Sequence, residues 1–247
     1  MSAGWRNARR PGAVDRRIVI GVVIAALVAA YLVHDHRISR FQVIYFLVLI
    51  PSIILHEISH GAVALLFGDD TARRQGRLSL NPVRHVDPVG TIIVPAVLSL
   101  AGVGAYGWAK PVPVNTSRLR SPRNHTVVVS LAGPLTNLVL AGLAGLAYVA
   151  VVPAATRLGY APLPLVGEVL LLAGLANLVL AVFNLVPCPP LDGAAVLERL
   201  IPARHLGDYY RLQPALMFLP FVLVLLFQHQ WISLVQHLYN WWAQLFS

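Results

Sequence analysis

Long apolar runs separated by short polar stretches dominate the pattern of this 247-residue chain. A helix needs about 20 apolar residues to cross a bilayer, and Trp and Tyr concentrate where a span meets the membrane surface. The pattern therefore predicts an all-α polytopic membrane protein with five to six transmembrane helices. The apolar runs cover residues 18–33, 41–67, 126–152, 165–186 and 214–227. A polar-sided helix is predicted at residues 194–211. The Trp- and Tyr-rich tail at residues 231–246 predicts an interfacial helix or the sixth span.

Residues 89–115 interrupt this pattern and predict a re-entrant or β-like segment. Residues 89–103 are apolar but short for a span, with Pro95 near their middle, and residues 108–115 alternate Pro and Val, which favours an extended segment. If residues 89–103 turn back, 16 of the 19 Lys and Arg residues lie on the side of the N-terminus, against 10 if they cross. Because basic residues concentrate on the cytoplasmic side, the count predicts re-entry and a cytoplasmic N-terminus.

The composition indicates a membrane protein and excludes a soluble domain. Hydrophobic residues make up 57% of the chain and charged residues 12%, about half the charged share of a soluble domain. The net charge of +9 could indicate nucleic acid, but the basic residues lie between the apolar runs, so the expected partner is the lipid bilayer and no nucleic acid. A single membrane-embedded domain is predicted over residues 1–247. For residues 18–33 a cleaved signal peptide is the less favoured alternative, because no clear cleavage site follows.

The clearest chemistry lies in the pentapeptide His56-Glu57-Ile58-Ser59-His60, within the apolar run at residues 41–67. Residues four apart share one face of a helix, so the two imidazoles are expected side by side. Two such nitrogens suit Zn²⁺, and the adjacent Glu57 can accept a proton from a water molecule that the metal activates. Ionisable residues at membrane depth are costly and mark function. The motif therefore predicts a metal site.

A catalytic zinc ion has three protein ligands and one position open to water, so the two histidines need a third partner. With re-entry, the runs at residues 41–67 and 165–186 cross the membrane in the same direction. That arrangement favours Asp192 as the third ligand, because it places Asp192 at the cytoplasmic end of its run, near the motif. The single cysteine excludes an internal disulfide and a Cys-rich zinc site. The other residues considered as third ligand are Cys188, His85, His125 and Glu168.

Three motifs together resemble the site-2 protease family of intramembrane zinc metalloproteases. They are the pentapeptide at residues 56–60, the stretch Gly133-Pro134-Leu135-Thr136-Asn137, and the stretch Asn184-Leu185-Val186-Pro187-Cys188-Pro189-Pro190-Leu191-Asp192-Gly193. The resemblance covers roughly residues 41–202, the expected catalytic core. It implies that zinc is held by His56, His60 and Asp192 and that Glu57 is the general base. It also implies that Asn137 binds the substrate or the oxyanion and that residues 108–115 lie near the substrate, whereas Asn177 and Asn184 are expected to be helix–helix or turn residues.

The resemblance implies a protein of a bacterial cell membrane that hydrolyses peptide bonds in or near transmembrane segments of membrane-protein substrates, as in regulated intramembrane proteolysis. The chain shows no PDZ-like or CBS-like stretch, so the sequence leaves its regulation, its substrate and its oligomeric state open. One alternative is a non-catalytic, zinc-stabilised membrane binding protein, which has no need of Glu57. Another is a metal transporter, which would carry ionisable residues along several spans.

Overall fold

A computed structural model describes residues 39–87, 110–157, 159–217 and 219–246 of the chain. Within these ranges the regular structure is entirely helical, with no β-strand. The α-helices are α1 (Arg40–Leu66), α2 (Thr71–Arg74), α3 (Pro122–Val151), α4 (Ala154–Arg157), α5 (Leu165–Asn184), α6 (Ala194–Leu200), α7 (Leu206–Leu216), α8 (Leu219–Leu226) and α9 (Gln228–Leu245). Short 3-10 helices occupy Pro82–Arg84, Thr116–Arg118 and Ala203–His205.

Three of the described helices, α1, α3 and α5, are long and apolar enough to span a membrane. They contain 27, 30 and 20 residues. At 1.5 Å per residue they are about 30 to 45 Å long, enough for a hydrocarbon core of about 30 Å. They correspond to three of the predicted runs. The predicted runs at residues 18–33 and 89–103 lie outside the described residues, so the total of five to six spans and the re-entrant segment stay predictions.

The region after α5 is divided into shorter helices than the pattern predicts. The apolar run at residues 214–227 is shared between α7 and α8, neither of which is long enough to span. The prediction of one helix over residues 194–211 is wrong. These residues are divided between α6, a 3-10 helix and α7. Helix α6 ends at Leu200, because Ile201 precedes Pro202 and adopts an extended conformation; the helical conformation is disfavoured for a residue before proline.

Helices α3 and α5 pack along each other through small residues, and α9 docks on both. Ala141 and Ala144 of α3 lie buried with Leu178 of α5, and Trp242 of α9 completes this cluster. The Trp242 indole donates through Nε1 to the Ala141 carbonyl over 3.3 Å. Gly174 makes room for the indole, since a Cβ built there would lie 2.0 Å from Cζ2 of Trp242. The described part of the tail is therefore a helix packed against α3 and α5.

Helix α1 contacts both of these central helices. Ile44 packs against Leu172 and Leu175 of α5, and Ala64 packs against Val129 of α3. The residues between Ile44 and Ala64, which include the histidine motif, therefore lie alongside α3 and α5.

Candidate metal centre

His56 and His60 lie one turn apart on the buried face of α1. Their ring centroids are 4.7 Å apart, and the two residues are 6% and 8% exposed. Because an α-helix has 3.6 residues per turn, the four-residue spacing places both imidazoles on one face. Helix periodicity therefore determines this half of the site.

Asp192 reaches the two rings from the loop that follows α5. Its Oδ2 atom is 3.0 Å from Nε2 of His56, and its Oδ1 atom is 3.4 Å from Nε2 of His60. The ligand atoms of the three residues all lie within 4.8 Å of one another. No other group of three or more potential metal-ligating side chains occurs in the part of the chain that the structure describes.

A glycine closes the loop that carries Asp192. The N–H of Gly193 donates to the Asn184 carbonyl over 2.7 Å at the end of α5. A Cβ on Gly193 would lie 2.3 Å from the carbonyl oxygen of Leu185. Any larger residue at this position would push the loop away from α5, so the glycine keeps Asp192 within reach of the histidines on α1.

The other four residues considered as third ligand lie outside this cluster. The sulfur of Cys188 approaches two backbone carbonyls, at 3.5 and 3.7 Å. The ring of His85 makes a 2.7 Å hydrogen bond to a backbone carbonyl. The ring of His125 stacks on Phe67, with ring centroids 4.0 Å apart. Glu168 lies in the first turn of α5, at the opposite end of that helix from the loop carrying the aspartate.

Both imidazoles turn their Nε2 atoms toward Asp192 because their Nδ1 atoms are engaged elsewhere. The Nδ1 atom of His60 lies 2.7 Å from the Val129 carbonyl oxygen. The Nδ1 atom of His56 lies 2.5 Å from the amide oxygen of Asn137. These oxygens only accept hydrogen bonds, so each Nδ1 carries the hydrogen and each Nε2 presents a lone pair. Metal-ligating histidines in proteins have this arrangement.

The cluster fits a bound metal ion on two grounds. Oδ2 of Asp192 is buried and has no hydrogen-bond partner within the described residues. It lies 3.0 Å from Nε2 of His56, which presents a lone pair. Such acceptors repel one another unless a cation lies among them. Secondly, a Cβ on Gly133 of α3 would lie 2.5 Å from Nε2 of both His56 and His60. Glycine thus leaves open the space that these nitrogens face. Two nitrogens and one carboxylate form a ligand set that suits Zn²⁺.

The carboxylate of Glu57 is held by residues 110–115, which form neither helix nor strand. We call this stretch the extended segment, because its alternating prolines favour an extended backbone. The backbone N–H of Val112 donates to Oε2 of Glu57 over 2.7 Å. The Val112 side chain is buried against α1, where a Cβ on Gly61 would lie 2.8 Å from its Cγ1 atom. The segment therefore lies directly on α1 beside the motif. Trp108, predicted to lie near the substrate, is outside the described residues.

Two charged residues beyond the end of α1 anchor this segment. Arg77 donates through Nη2 to the carbonyls of the segment's first two residues, over 2.7 and 3.1 Å. Asp69, which is fully buried, accepts from the N–H of Asn115 over 2.6 Å. Burial by itself raises the pKa of Asp69, but the hydrogen bonds from Thr71 and Asn115 outweigh it, so the pKa lies below its usual value. Sequence reasoning missed both anchors, because charged residues in a polar loop carry no distinguishing pattern.

Asn137 is fully buried on α3, and both ends of its amide are engaged. Its oxygen accepts from His56, and its Nδ2 group donates to Asn177 of α5 over 2.7 Å. The role toward substrate or oxyanion that the resemblance implies for Asn137 stays a prediction. The sequence predicts Asn177 to be a helix–helix or turn residue and does not connect it to a metal ligand.

Comparison with known proteins adds a family match. Residues 159–227 match peptidase family M50. The zinc metalloprotease candidate YwhC of Bacillus subtilis (strain 168) is 42% identical over 154 residues, which is 62% of this chain and 67% of that protein. The zinc metalloprotease candidate Rip2 of Mycobacterium tuberculosis (strain Erdman) is 36% identical over 176 residues, 65% of this chain and 62% of that protein. Rip2 of Mycolicibacterium smegmatis is 32% identical over 202 residues, 78% of this chain and 72% of that protein. No solved structure matches the chain significantly.

Proposed function

This chain belongs to peptidase family M50, the site-2 protease family, and we propose that it is an intramembrane zinc metalloprotease. It hydrolyses peptide bonds in or near transmembrane segments of membrane-protein substrates. The observation that carries the proposal is the convergence of two imidazole Nε2 atoms and one carboxylate beside Glu57. The helix that bears the motif, α1, is long and apolar enough to span a membrane, which supports chemistry within the bilayer.

His56, His60 and Asp192 are the residues that would hold zinc. When bound, zinc supplies Lewis acidity, which lowers the pKa of water to about 7 and polarises a peptide carbonyl. The burial of both histidines restricts water around the ligands. Gly133 keeps free the space that the two Nε2 atoms face.

Glu57 is the group that moves the proton. Its Oε2 atom accepts the Val112 N–H over 2.7 Å, which fixes the carboxylate and leaves Oε1 as the oxygen that takes a proton from the attacking water. The same carboxyl group then delivers this proton to the leaving amine, as a general base that becomes a general acid. The hydrogen bond to Val112 therefore orients the base.

The extended segment at residues 110–115 would receive the substrate in an unwound form. A helix hides its peptide bonds, so a transmembrane substrate must be locally extended before hydrolysis. Pro111 and Pro113 have no N–H, whereas Val112 and Val114 carry both a donor and an acceptor. Alternate residues of an extended chain face the same edge, and Val112 faces Glu57. Glu57 occupies the Val112 N–H, so the Val112 carbonyl and the backbone groups of Val114 support pairing with a substrate strand by β-addition.

We place the protein in a bacterial cell membrane with a cytoplasmic N-terminus. Three span-length apolar helices support the membrane location, and the relatives named above are bacterial proteins. The orientation follows from the Lys and Arg distribution. The single domain over residues 1–247 stays part of this proposal.

The decisive experiment compares wild-type protein with Glu57→Gln, both purified in detergent, for zinc content and for cleavage of a single-span substrate. Gln has nearly the same shape but cannot accept the proton, so the variant should keep its zinc and lose roughly 10²–10⁴-fold in rate. Equal cleavage by both proteins would remove Glu57 from the role of base. Wild-type protein that binds zinc and cuts none of a panel of single-span substrates would favour the alternative, a non-catalytic zinc-stabilised binding protein.

A further inference from the structure

We propose that Ser52, Asn177 and Asn137 form a polar relay that holds His56 in the tautomer required of a metal ligand. The relay residues are positioning residues, since they act through the ring of His56. The inference rests on the zinc site of the proposed function, and it identifies the side chains that prepare one of the ligands.

The relay passes through three helices and returns to the helix where it began. Ser52 of α1 accepts from Nδ2 of Asn177 on α5 over 2.9 Å. Oδ1 of Asn177 accepts from Nδ2 of Asn137 on α3 over 2.7 Å. Oδ1 of Asn137 then accepts from Nδ1 of His56, back on α1, over 2.5 Å. The three relay residues are 5%, 3% and 0% exposed, so these bonds form where water is unavailable to replace them.

Backbone carbonyls at one end fix the direction of every hydrogen bond in the relay. Nδ2 of Asn177 lies 2.9 Å from the carbonyl of Ala173, and the Ser52 hydroxyl lies 2.8 Å from the carbonyl of Val48. Carbonyl oxygens only accept, so Asn177 must turn its NH₂ group toward Ala173 and Ser52. Its oxygen therefore faces Asn137, which must donate there and present its own oxygen to the histidine ring.

The orientation of the Asn137 amide decides which nitrogen of His56 carries the hydrogen. A neutral imidazole has two tautomers, and an amide oxygen at Nδ1 selects the one whose Nε2 lone pair is free. If the amide were reversed, its NH₂ group would face Nδ1 and the hydrogen would move to Nε2, the atom that faces Asp192. The relay therefore prepares His56 for the metal.

His60 has a different support. Its Nδ1 donates to the backbone carbonyl of Val129 over 2.7 Å. A main-chain carbonyl cannot be reversed or removed by a side-chain substitution, whereas the support of His56 consists of side chains. Changes in the relay should therefore affect His56 and leave His60 as an internal control.

The first test measures the zinc affinity of the purified full-length protein by competition with a chelator. Asn177→Leu should weaken zinc binding roughly tenfold, the lower end of the range for residues that orient metal-bound histidines. Thr136→Val is the matched control, because it also exchanges a polar for an apolar side chain, next to Asn137 but outside the relay. It should bind zinc like the wild type. Equal affinities for Asn177→Leu and Thr136→Val would overturn the proposal.

A double-variant cycle separates ring positioning from a general contribution to helix packing. Asn177 acts on zinc only through Asn137. In the Asn137→Leu background, the further change Asn177→Leu should therefore leave zinc affinity unchanged. Additive losses would show that Asn177 contributes through packing alone and would contradict the relay.

The second test determines the tautomer of His56 by nitrogen NMR. Its first measurement keeps all three relay residues, so it does not depend on the folding of a relay variant. It uses metal-free protein with ¹⁵N-labelled histidine and the change Asp192→Ala, since the Asp192 carboxylate would compete for a proton at Nε2. Spectra at about pH 9, above the usual histidine pKa, should show the hydrogen on Nδ1 of both His56 and His60. Adding Asn177→Leu should give a tautomer mixture at His56 alone. If the His56 hydrogen lies on Nε2 in the protein whose three relay residues are unchanged, the proposal is overturned.

These outcomes also separate the relay from the proposed function. Wild-type protein without zinc affinity would contradict the proposed function, and the tautomer measurement would still decide on the relay. Zinc bound equally well by wild type and Asn177→Leu would contradict the relay and leave the proposed function standing.

Discussion

The backbone N–H of Val112 donates a 2.7 Å hydrogen bond to Oε2 of Glu57, which joins the extended segment at residues 110–115 to the proposed general base. The donor is a main-chain group, so only a change of backbone chemistry can remove it. This hydrogen bond places the backbone edge of the segment directly beside the carboxylate of Glu57.

Val112→Pro should remove this hydrogen bond while keeping the segment extended. Residue 112 precedes a proline and follows one, a context that already favours the extended conformation and suits the fixed φ of proline. The lost bond to a charged group is worth about 1.5–3 kcal/mol, so kcat on a single-span substrate should fall about tenfold or more. Zinc content, measured on the same preparation, should stay at the wild-type level.

Val112→Ala is the matched control, because it shortens the side chain and retains the N–H. It should cleave faster than Val112→Pro. Should the two variants be equally slow, packing of the side chain against α1 would be the contribution of residue 112, and its N–H would have no part in orienting Glu57.

Replacing residues 111–114 with a flexible Gly/Ser run tests the segment as a platform for an unwound substrate. A preformed extended strand saves the ordering cost that a flexible loop would add on binding. Cleavage should therefore slow, mainly through a higher KM, while zinc stays bound. Unchanged cleavage kinetics would discard the segment as the substrate platform.

The apolar pattern predicts where the three span-length helices lie but misses their ends. Helix α3 begins at Pro122, upstream of the run that starts at residue 126, because proline suits the first helical turn and polar residues continue the helix beyond the apolar stretch. Helix α5 ends at Asn184 rather than residue 186, because Val186 precedes Pro187. Hydropathy reports on contact with lipid, whereas prolines and caps determine where a helix begins and ends.

Short-range geometry of the candidate site follows from the sequence, and long-range pairing does not. The spacing of His56 and His60 puts them on one face through the helix period alone. The sequence predicts the approach of Asp192 only through topology and a family resemblance. Nothing in the apolar runs indicates that Asn177 meets Ser52, because such contacts depend on the axial position and rotation with which two helices pack.

Trp242→Ala should destabilise the docking of α9 on α3 and α5. The indole is 3% exposed and hydrogen-bonded to a carbonyl of α3, so its loss should cost about 3–5 kcal/mol. Thermal unfolding in detergent measures the effect. Trp241, the neighbouring residue, is 56% exposed, and Trp241→Ala should change stability by no more than about 0.5 kcal/mol. Equal losses in the two variants would contradict the docking role of Trp242.

Acid should destabilise the protein as Asp69 becomes protonated. Its pKa is lowered in the folded state. Ionised Asp69 therefore stabilises the fold fully above the unfolded pKa of about 3.9, and this contribution is lost as pH falls through the lower folded value. Asp69→Asn should flatten the acid limb of the curve of Tm against pH. At neutral pH it should cost about 1–3 kcal/mol, because its NH₂ group would face an N–H donor.

The control for this pH dependence is Asp208→Asn on α7, whose side chain is 71% exposed. It should keep the wild-type acid limb. An unchanged acid limb in Asp69→Asn would assign the acid sensitivity to other carboxylates and would contradict the anchoring role of Asp69.

Gly133→Ala should weaken zinc binding without weakening α3. Alanine favours a helix over glycine by about 1 kcal/mol, so helix propensity alone would raise stability. The added Cβ would lie 2.5 Å from the Nε2 atoms of both His56 and His60, in the space that the ligand nitrogens face. Zinc affinity should therefore fall by at least about tenfold, and cleavage should fall with it.

Gly142→Ala makes the same substitution on the same helix without this contact, since no atom lies within 4 Å of the Cβ it would add. It should keep wild-type zinc content and activity and raise Tm slightly, as expected for a glycine replaced inside a helix. The difference between the two variants isolates the steric effect at the ligand nitrogens from helix propensity. If Gly133→Ala bound zinc as tightly as Gly142→Ala, the metal would have to lie away from the face of the histidines that Gly133 leaves open.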